Sequence, residues 1–122
     1  MRALALILIV LIAALHLYIS WFEIFAWEAR GPAIFSTLDP ALFAPTTAIA
    51  ANQGLYNGFL AAGLLWSLTI ADRAWQARVA SCFLIFVAVA GVFGALTVSP
   101  TIALVQTVPA SLALGALWMS RR

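Results

Sequence analysis

Apolar and polar positions divide the chain into four apolar segments joined by polar connections. The segments cover residues 3–22, 54–71, 79–98 and 102–119, and none of them contains a charged side chain. A helix rises 1.5 Å per residue, so about 18–20 residues extend roughly 27–30 Å, the thickness of the hydrocarbon core of a bilayer. The pattern predicts an all-α integral membrane protein, a four-helix transmembrane bundle that forms a single polytopic domain.

The first segment has to be distinguished from a cleaved signal peptide, because Arg2 precedes the apolar run. The run is longer than the about 7–15 apolar residues that are typical of signal peptides. No clean small-x-small cleavage site appears before Trp27. We therefore expect the first segment to be retained as a helix.

Composition agrees with a protein whose solvent is lipid. The chain of 122 residues is 66% hydrophobic and only 8% charged, whereas about 25% of residues are charged in a soluble domain. Its six basic residues, all arginine, are too scattered to form the basic face that nucleic-acid binding requires. A single cysteine, Cys82, excludes an intrachain disulfide, and with only one histidine the sequence predicts no metal site, no haem and no other cofactor.

Five of the six arginines fall on one side of the predicted bundle. They are Arg2, Arg73, Arg78, Arg121 and Arg122. Only Arg30 lies on the other side, in the connection between the first two segments. Because cytoplasmic loops carry an excess of positive charge, both termini are predicted to be cytoplasmic and residues 27–52 to be outside.

The outer connection is unusually apolar for a loop. A Gly-Pro pair at 31–32 is expected to end the first helix. Thr37 and Asp39 are candidate N-caps for a short helix over residues 40–44. The segment 31–51 is predicted either to cover the mouth of the bundle as a lid or to lie at the membrane surface as an amphipathic turn.

One face of the first helix carries the candidate chemistry. At 100° per residue, His16, Ser20, Glu23 and Trp27 fall at about 0, 40, −20 and 20°, so they form one stripe. His16 is the only histidine, and an imidazole titrates near neutral pH. His16 and Glu23 are about 10 Å apart along the helix axis, which leaves room for a water molecule or a ligand group between them. This spacing suits proton transfer to a bound molecule.

The other segments add polar residues that are predicted to lie in the outer half of the bundle. A buried polar group without a partner costs several kcal/mol in lipid, so these side chains are expected to converge on a polar pocket. Small residues, including the GxxxG pair Gly54 and Gly58, indicate which helix faces point inward. The candidate catalytic residues are His16 and Glu23, and the candidate ligand-binding residues are Ser20, Trp27, Asn52, Gln53, Asn57, Thr97 and Gln106.

Motifs in all four segments resemble those of a bacterial family of small integral membrane proteins, the domain-of-unknown-function family 1304. They are His16-Leu17-Tyr18 with Glu23 and Trp27, the run NQGLYNGFL at 52–60, Ala90-Gly91 with Gly94 and Thr97, and Gln106 with Pro109-Ala110. The resemblance runs nearly end to end and implies a multi-pass protein of the bacterial cytoplasmic (inner) membrane. It implies no particular activity, because none is established for the family.

Three classes of function fit these observations. The first is a protein that binds or transports a small amphiphilic or lipid-like molecule at the polar pocket. The second is a membrane-embedded acid/base enzyme, such as an isomerase, that uses His16 and Glu23. The third is a non-catalytic interaction protein whose polar residues only hold helices together. The expected partners are the lipid bilayer and a small amphiphilic ligand rather than nucleic acid, and the sequence is compatible with a homo-oligomer.

Overall fold

Regular structure in the described part of the chain, residues 1–120 of the computed structural model, is entirely helical. This confirms the all-α prediction. The long helices are α1 (Arg2–Phe25), α2 (Trp27–Ile34), α3 (Thr47–Thr69), α4 (Arg73–Thr97) and α5 (Val108–Met119). Two 3₁₀ turns, Pro40–Leu42 and Ala44–Thr46, precede α3, and a π-helical turn, Ala103–Thr107, precedes α5. Arg121 and Arg122, which entered the prediction of orientation, lie outside the described residues.

Two helices of the described chain are long and apolar enough to cross a membrane. They are α1 and α4, whose most apolar 18-residue windows have mean hydropathies of 2.6 and 2.5. Residues Ala103–Met119 form a shorter apolar helix. Helix α3 has 23 residues, but Asn52, Gln53 and Asn57 in its first half reduce its hydropathy. Length and composition therefore support two membrane spans, and the bundle of four spans stays a prediction.

Helices α3 and α4 begin earlier in the chain than the apolar segments from which they were predicted. Helix α3 begins at Thr47 rather than at residue 54, and α4 begins at Arg73 rather than at residue 79. At the start of α4, the Asp72 carboxylate accepts a hydrogen bond from the backbone N–H of Trp75, at 2.7 Å. Such an N-cap stabilises a helix end whatever the hydropathy of its first turn. Helices α3 and α4 thus extend beyond the apolar segments at their starts.

The first helix ends before the Gly-Pro pair at 31–32, where the sequence predicted its end. Ala26 leaves the helical conformation, with φ −130° and ψ 15°, and separates α1 from α2. Gly31 and Pro32 both lie inside α2. A proline removes only one backbone donor and disturbs one turn, and here α2 continues to Ile34. The prediction of a helix end at 31–32 was therefore wrong.

The chain forms two compact units. The first, unit 1, contains Met1–Ala14 and the chain from Leu60 onward, and the second, unit 2, contains Leu15–Phe59. The core of unit 1 draws on α1, α3, α4 and α5, and more than half of its members are alanine. It consists of Ala5, Ile9, Ile12, Ala13, Leu64, Ala77, Ala80, Leu84, Val87, Ala110, Ala113, Ala116 and Leu117. Small side chains of this kind let helix backbones approach closely.

Helix α4 packs against the π-helical turn of unit 1 at Gly91. A Cβ atom at Gly91 would overlap the Thr107 hydroxyl and lie 2.8 Å from the Thr107 backbone nitrogen. The same hydroxyl donates a hydrogen bond to the backbone oxygen of Ala88, at 3.0 Å. Gly94 packs against Ile102, whereas Ala90 is exposed. The contact between these elements therefore uses Gly91 and Gly94.

An aromatic cluster folds the connection between α2 and α3 onto the helices of unit 2. The cluster consists of Phe22, Trp27, Phe35 and Phe43. The rings of Trp27 and Phe43 are 5.0 Å apart, and those of Trp27 and Phe22 are 5.5 Å apart. Phe43 is only 2% exposed, and its ring occupies the space that a side chain at Gly31 would need. Packing of these rings accounts for Phe35 and Phe43 in the connection, whereas Leu42 is exposed.

Asp39 is an N-cap, as the sequence indicated. Its carboxylate accepts a hydrogen bond from the backbone N–H of Ala41, at 2.9 Å. The structure it caps is the 3₁₀ turn Pro40–Leu42 and not a helix over residues 40–44. The chain turns again at Phe43, which brings that ring into the aromatic cluster. The chain thus turns to bury Phe43 instead of continuing as a short helix.

Gly91→Ala should destabilise the protein by about 1–3 kcal/mol, since the added methyl group would overlap Thr107. Gly115→Ala is the matched control, because a Cβ there would meet no atom within 4 Å. Alanine is the better helix former by about 0.5–1 kcal/mol, so the control should be neutral or slightly stabilising. Thermal unfolding in detergent measures the stability of both variants. Equal melting temperatures for the two variants would contradict the close contact at Gly91.

Phe43→Ala should lower the free energy of unfolding by about 3–5 kcal/mol, because it removes a buried ring from the aromatic cluster. It should also expose the connection between α2 and α3 to proteolysis. Phe25→Ala is the control, since Phe25 is 76% exposed. The measurements are thermal unfolding and the rate of cleavage by chymotrypsin in detergent. If the control were cleaved as fast as Phe43→Ala, the connection would not depend on the cluster.

Candidate functional site

Helices α1 and α3 of unit 2 are in close contact through two glycines of α3. A Cβ atom at Gly54 would lie 2.8 Å from Cγ1 of Ile24 and 3.0 Å from the backbone oxygen of Ser20. A Cβ atom at Gly58 would lie 3.2 Å from the Ser20 hydroxyl. The GxxxG pair therefore lies on a helix contact face, as predicted, and the neighbouring helix is α1. Ala62, one turn further along α3, is exposed.

A hydrogen bond joins the two helices beside these glycines. The side-chain amide of Asn57 donates to Oε2 of Glu23, at 2.8 Å. The same amide nitrogen is 3.2 Å from the backbone oxygen of Gln53, one turn earlier in α3. Both Asn57 and Glu23 are half-buried. The sequence predicts a partner for Asn57 on the first or the fourth segment, and this partner is on the first.

Ser20 completes a small polar group at this contact. It is half-buried on α1, one turn before Glu23, and its hydroxyl lies over Gly58. We call Ser20, Glu23 and Asn57 the interhelical polar cluster. Its formation depends on the glycines, because a larger residue at position 54 or 58 would separate the backbones that carry the three side chains.

His16 lies on the same face of α1, one turn before Ser20. Its side chain is completely buried. His16 and Glu23 are two helical turns apart, and α1 is continuous between them. Part of the predicted stripe is therefore present as a single helical face that carries His16, Ser20 and Glu23.

Trp27 does not continue that stripe. The break at Ala26 places it at the start of α2, where its ring belongs to the aromatic cluster. The indole N–H donates to the hydroxyl of Thr46, at 2.9 Å, and Thr46 donates in turn to the backbone oxygen of Leu42, at 2.7 Å. The prediction of one stripe from position 16 to position 27 was therefore wrong. Sequence reasoning also missed Thr46, although a packed tryptophan needs an acceptor for its N–H and the connection offers few.

The remaining predicted site residues lie outside the interhelical polar cluster. Asn52 and Gln53 are exposed on α3. Thr97 is exposed in unit 1, and its hydroxyl donates within its own helix to the backbone oxygen of Phe93, at 2.8 Å. Gln106 is half-buried in the π-helical turn of unit 1, where its Cβ lies next to Gly91. Thr97 and Gln106 thus have different neighbours within unit 1.

The chemistry of the interhelical polar cluster is that of a hydrogen-bond acceptor with one neutral donor already in place. A carboxylate has about four lone-pair positions, and Asn57 occupies one of those on Glu23. The Ser20 hydroxyl can donate as well as accept. Among the described residues, no group of three or more His, Cys, Asp or Glu side chains is arranged to hold a metal ion. The cluster is therefore suited to a ligand that carries O–H or N–H donors.

Comparison with known proteins places the chain in a family. The model of the family described as protein of unknown function (DUF1304) matches residues 10–118. No curated protein and no solved structure matches the chain at a significant level. The match to the family model includes both units and confirms the resemblance seen in the sequence motifs. The chain therefore belongs to the DUF1304 family.

Proposed function

We propose that the protein is a multi-pass protein of the bacterial cytoplasmic membrane, where it binds or transports a small amphiphilic molecule at the interhelical polar cluster. The observation that carries the proposal is the hydrogen bond between Asn57 and Glu23, on the same helical face as the buried His16. In the predicted orientation these residues lie in the outer half of the membrane.

Surface composition supports the membrane location. Large apolar side chains of α4 are mostly exposed, for example Val89 at 62%, Phe93 at 67% and Leu96 at 81%. A soluble monomer rarely exposes a contiguous apolar surface of this kind, whereas a helix that faces lipid does. Helices α1 and α4 are also long enough to span the hydrocarbon core. The four apolar segments favour four spans, and the arginine distribution favours cytoplasmic termini.

The position of Glu23 and its neutral hydrogen-bond partner support the proposal that a ligand binds there. An ionisable side chain within a membrane-spanning helix is expensive, and such residues commonly mark substrate or proton pathways. The Asn57 amide is a neutral partner, so it leaves the carboxylate uncompensated in charge and with further acceptor positions. A molecule with a polar, donor-bearing head and an apolar body would satisfy both the carboxylate and the surrounding apolar side chains.

Acid/base catalysis is the second candidate, and the continuous face of α1 favours it. His16 and Glu23 lie about 10 Å apart along one helix, on either side of the half-buried Ser20. A ligand bound between them would have an imidazole at one end and a carboxylate at the other, two groups that can serve in acid/base catalysis. The third candidate is a structural role alone, in which the bond between Asn57 and Glu23 stabilises helix association by about 0.6–2 kcal/mol.

The orientation can be tested with single cysteines introduced after Cys82→Ser. Thr37→Cys and Ala71→Cys both change exposed positions, in the connections after α2 and α3. With a membrane-impermeant maleimide, Thr37→Cys should be labelled in intact cells and Ala71→Cys only after lysis. The opposite result would reverse the orientation. Labelling of both in intact cells would exclude the proposed number of spans between them.

The ligand site can be tested with Glu23→Gln. This variant keeps an acceptor for the Asn57 amide and should therefore unfold within a few degrees of the wild type, but it removes the negative charge. Native mass spectrometry of protein purified in mild detergent should detect a small molecule bound to the wild type and at least tenfold less of it on the variant. Glu28→Gln is the control, because Glu28 is exposed on α2. Equal retention by Glu23→Gln and the wild type would leave the cluster with a structural role only.

His16→Gln separates binding from catalysis. Glutamine can form hydrogen bonds but cannot titrate near neutral pH. If the protein is a binder, this variant should retain the bound molecule and its normal behaviour in cells. If it is an acid/base enzyme, the variant should bind the molecule but no longer convert it, as measured by mass spectrometry of the extracted ligand. In that case Glu23→Gln combined with His16→Gln should be little worse than either alone, as expected of residues that act as a unit.

A further inference from the structure

Unit 1 contains a basic cavity at the ends of three helices. Its volume is about 400 Å³, and it is lined by Arg2, Arg73, Ala74, Ala77, Arg78, Leu117 and Ser120. Arg2 is the first residue of α1, Arg73 is the first residue of α4, and Ser120 directly follows α5. The cavity is therefore where helices α1 and α4, both long enough to span a membrane, begin.

The charges around this cavity are unbalanced. Among residues 1–120, its lining includes three guanidinium groups and no carboxylate. The nearest acidic residue in sequence, Asp72, caps α4 through the backbone N–H of Trp75 and is not part of the lining. Guanidinium groups are permanently charged and repel one another unless an anion lies between them. The cavity therefore favours an anionic occupant.

A buried glutamine holds one of the arginines in place. Gln76 is only 4% exposed, and its side-chain oxygen accepts a hydrogen bond from Nη2 of Arg2, at 2.7 Å. Because the amide is neutral, this bond positions Arg2 without cancelling its charge. The planar guanidinium group retains other N–H donors, in a geometry that matches the oxygens of a phosphate group. Gln76 is thus a positioning residue for the cavity.

We propose that this cavity binds a phosphate group, carried either by an anionic phospholipid or by a soluble phosphorylated compound. Its volume lies within the about 300–1,000 Å³ that is usual for small-molecule sites. The first turns of α1 and α4 are where a membrane-spanning helix meets the headgroup region, and Ala74, Ala77 and Leu117 provide an apolar wall. These features favour the phospholipid, whose headgroup would contact the arginines while its chains follow the exposed apolar helices. The site is distinct in its residues from the interhelical polar cluster and does not depend on the function proposed there.

The test is native mass spectrometry of the full chain in detergent, titrated with phosphatidylglycerol, phosphatidylcholine, glycerol 3-phosphate or inorganic phosphate. Phosphatidylglycerol should bind at least about tenfold more tightly than phosphatidylcholine, a difference of about 1.4 kcal/mol. Competition by glycerol 3-phosphate or inorganic phosphate at equal concentration would assign the site to a soluble phosphorylated compound. Failure of both soluble probes to compete would assign it to the lipid. Equal binding of the two phospholipids, with no binding of either soluble probe, would overturn the proposal.

Charge-matched variants show whether the cavity is the site. Arg73→Gln and Arg78→Gln change exposed side chains, so both should fold, and each should weaken phosphatidylglycerol binding by about fivefold or more. Arg30→Gln removes the same charge from α2, where the guanidinium lies 5.0 Å from the ring centre of Trp21, and should change affinity less than twofold. Gln76→Met leaves the charge unchanged but frees Arg2, so it should weaken binding at unchanged net charge. An equal loss for Arg30→Gln and the cavity variants would show non-specific attraction and overturn the proposal.

Discussion

Close approach of helix backbones, at positions with little or no side chain, is the constraint on which the structure depends. A chain that is 66% hydrophobic cannot separate core from surface by polarity. It separates them by size instead: alanine predominates in the core of unit 1, while side chains such as Phe93 and Leu96 are exposed. In lipid, burying a large apolar side chain gains little, whereas close packing of small residues gains van der Waals contact over a long interface. Substitution of Gly54 or Gly91 therefore affects the fold directly.

Polar groups then select which of the many close packings is adopted. The hydrogen bond between Asn57 and Glu23 joins α3 to α1. A second bond, between Trp27 and Thr46, joins α2 to the turn before α3. A third, between Arg2 and Gln76, joins α1 to α4. Each of these bonds connects elements that are distant in sequence. An apolar contact can shift by one turn at little cost, but a buried donor without its acceptor is expensive. A few hydrogen bonds thus determine the register of helices whose apolar surfaces are nearly uniform.

The polar and charged side chains of the two proposed sites lie at two kinds of position. Glu23 and Asn57 are adjacent because the glycines of α3 allow its backbone to approach α1. The three cavity arginines are adjacent because Arg2 and Arg73 begin α1 and α4, and Arg78 lies in the second turn of α4. Glu23 is a hydrogen-bond acceptor within apolar surroundings, whereas the cavity arginines are a cluster of hydrogen-bond donors at the start of two apolar helices. Separate residues thus supply the two kinds of group.

The sequence by itself determined the helical class and the general placement of the apolar helices, because hydropathy depends on composition and needs no knowledge of contacts. It also identified Gly54 and Gly58 as a contact face and predicted a partner for Asn57 on the first or the fourth segment, since an amide in an apolar helix must find a partner. Only the tertiary structure decided the break at Ala26, the start of α4 at Arg73 and the contact of Gly91 with Thr107. It also decided the packing of Trp27 with Phe43 and the pairing of Arg2 with Gln76. The reason is physical: these features depend on which side chains meet across elements, and a nearly uniform apolar sequence is compatible with many such pairings.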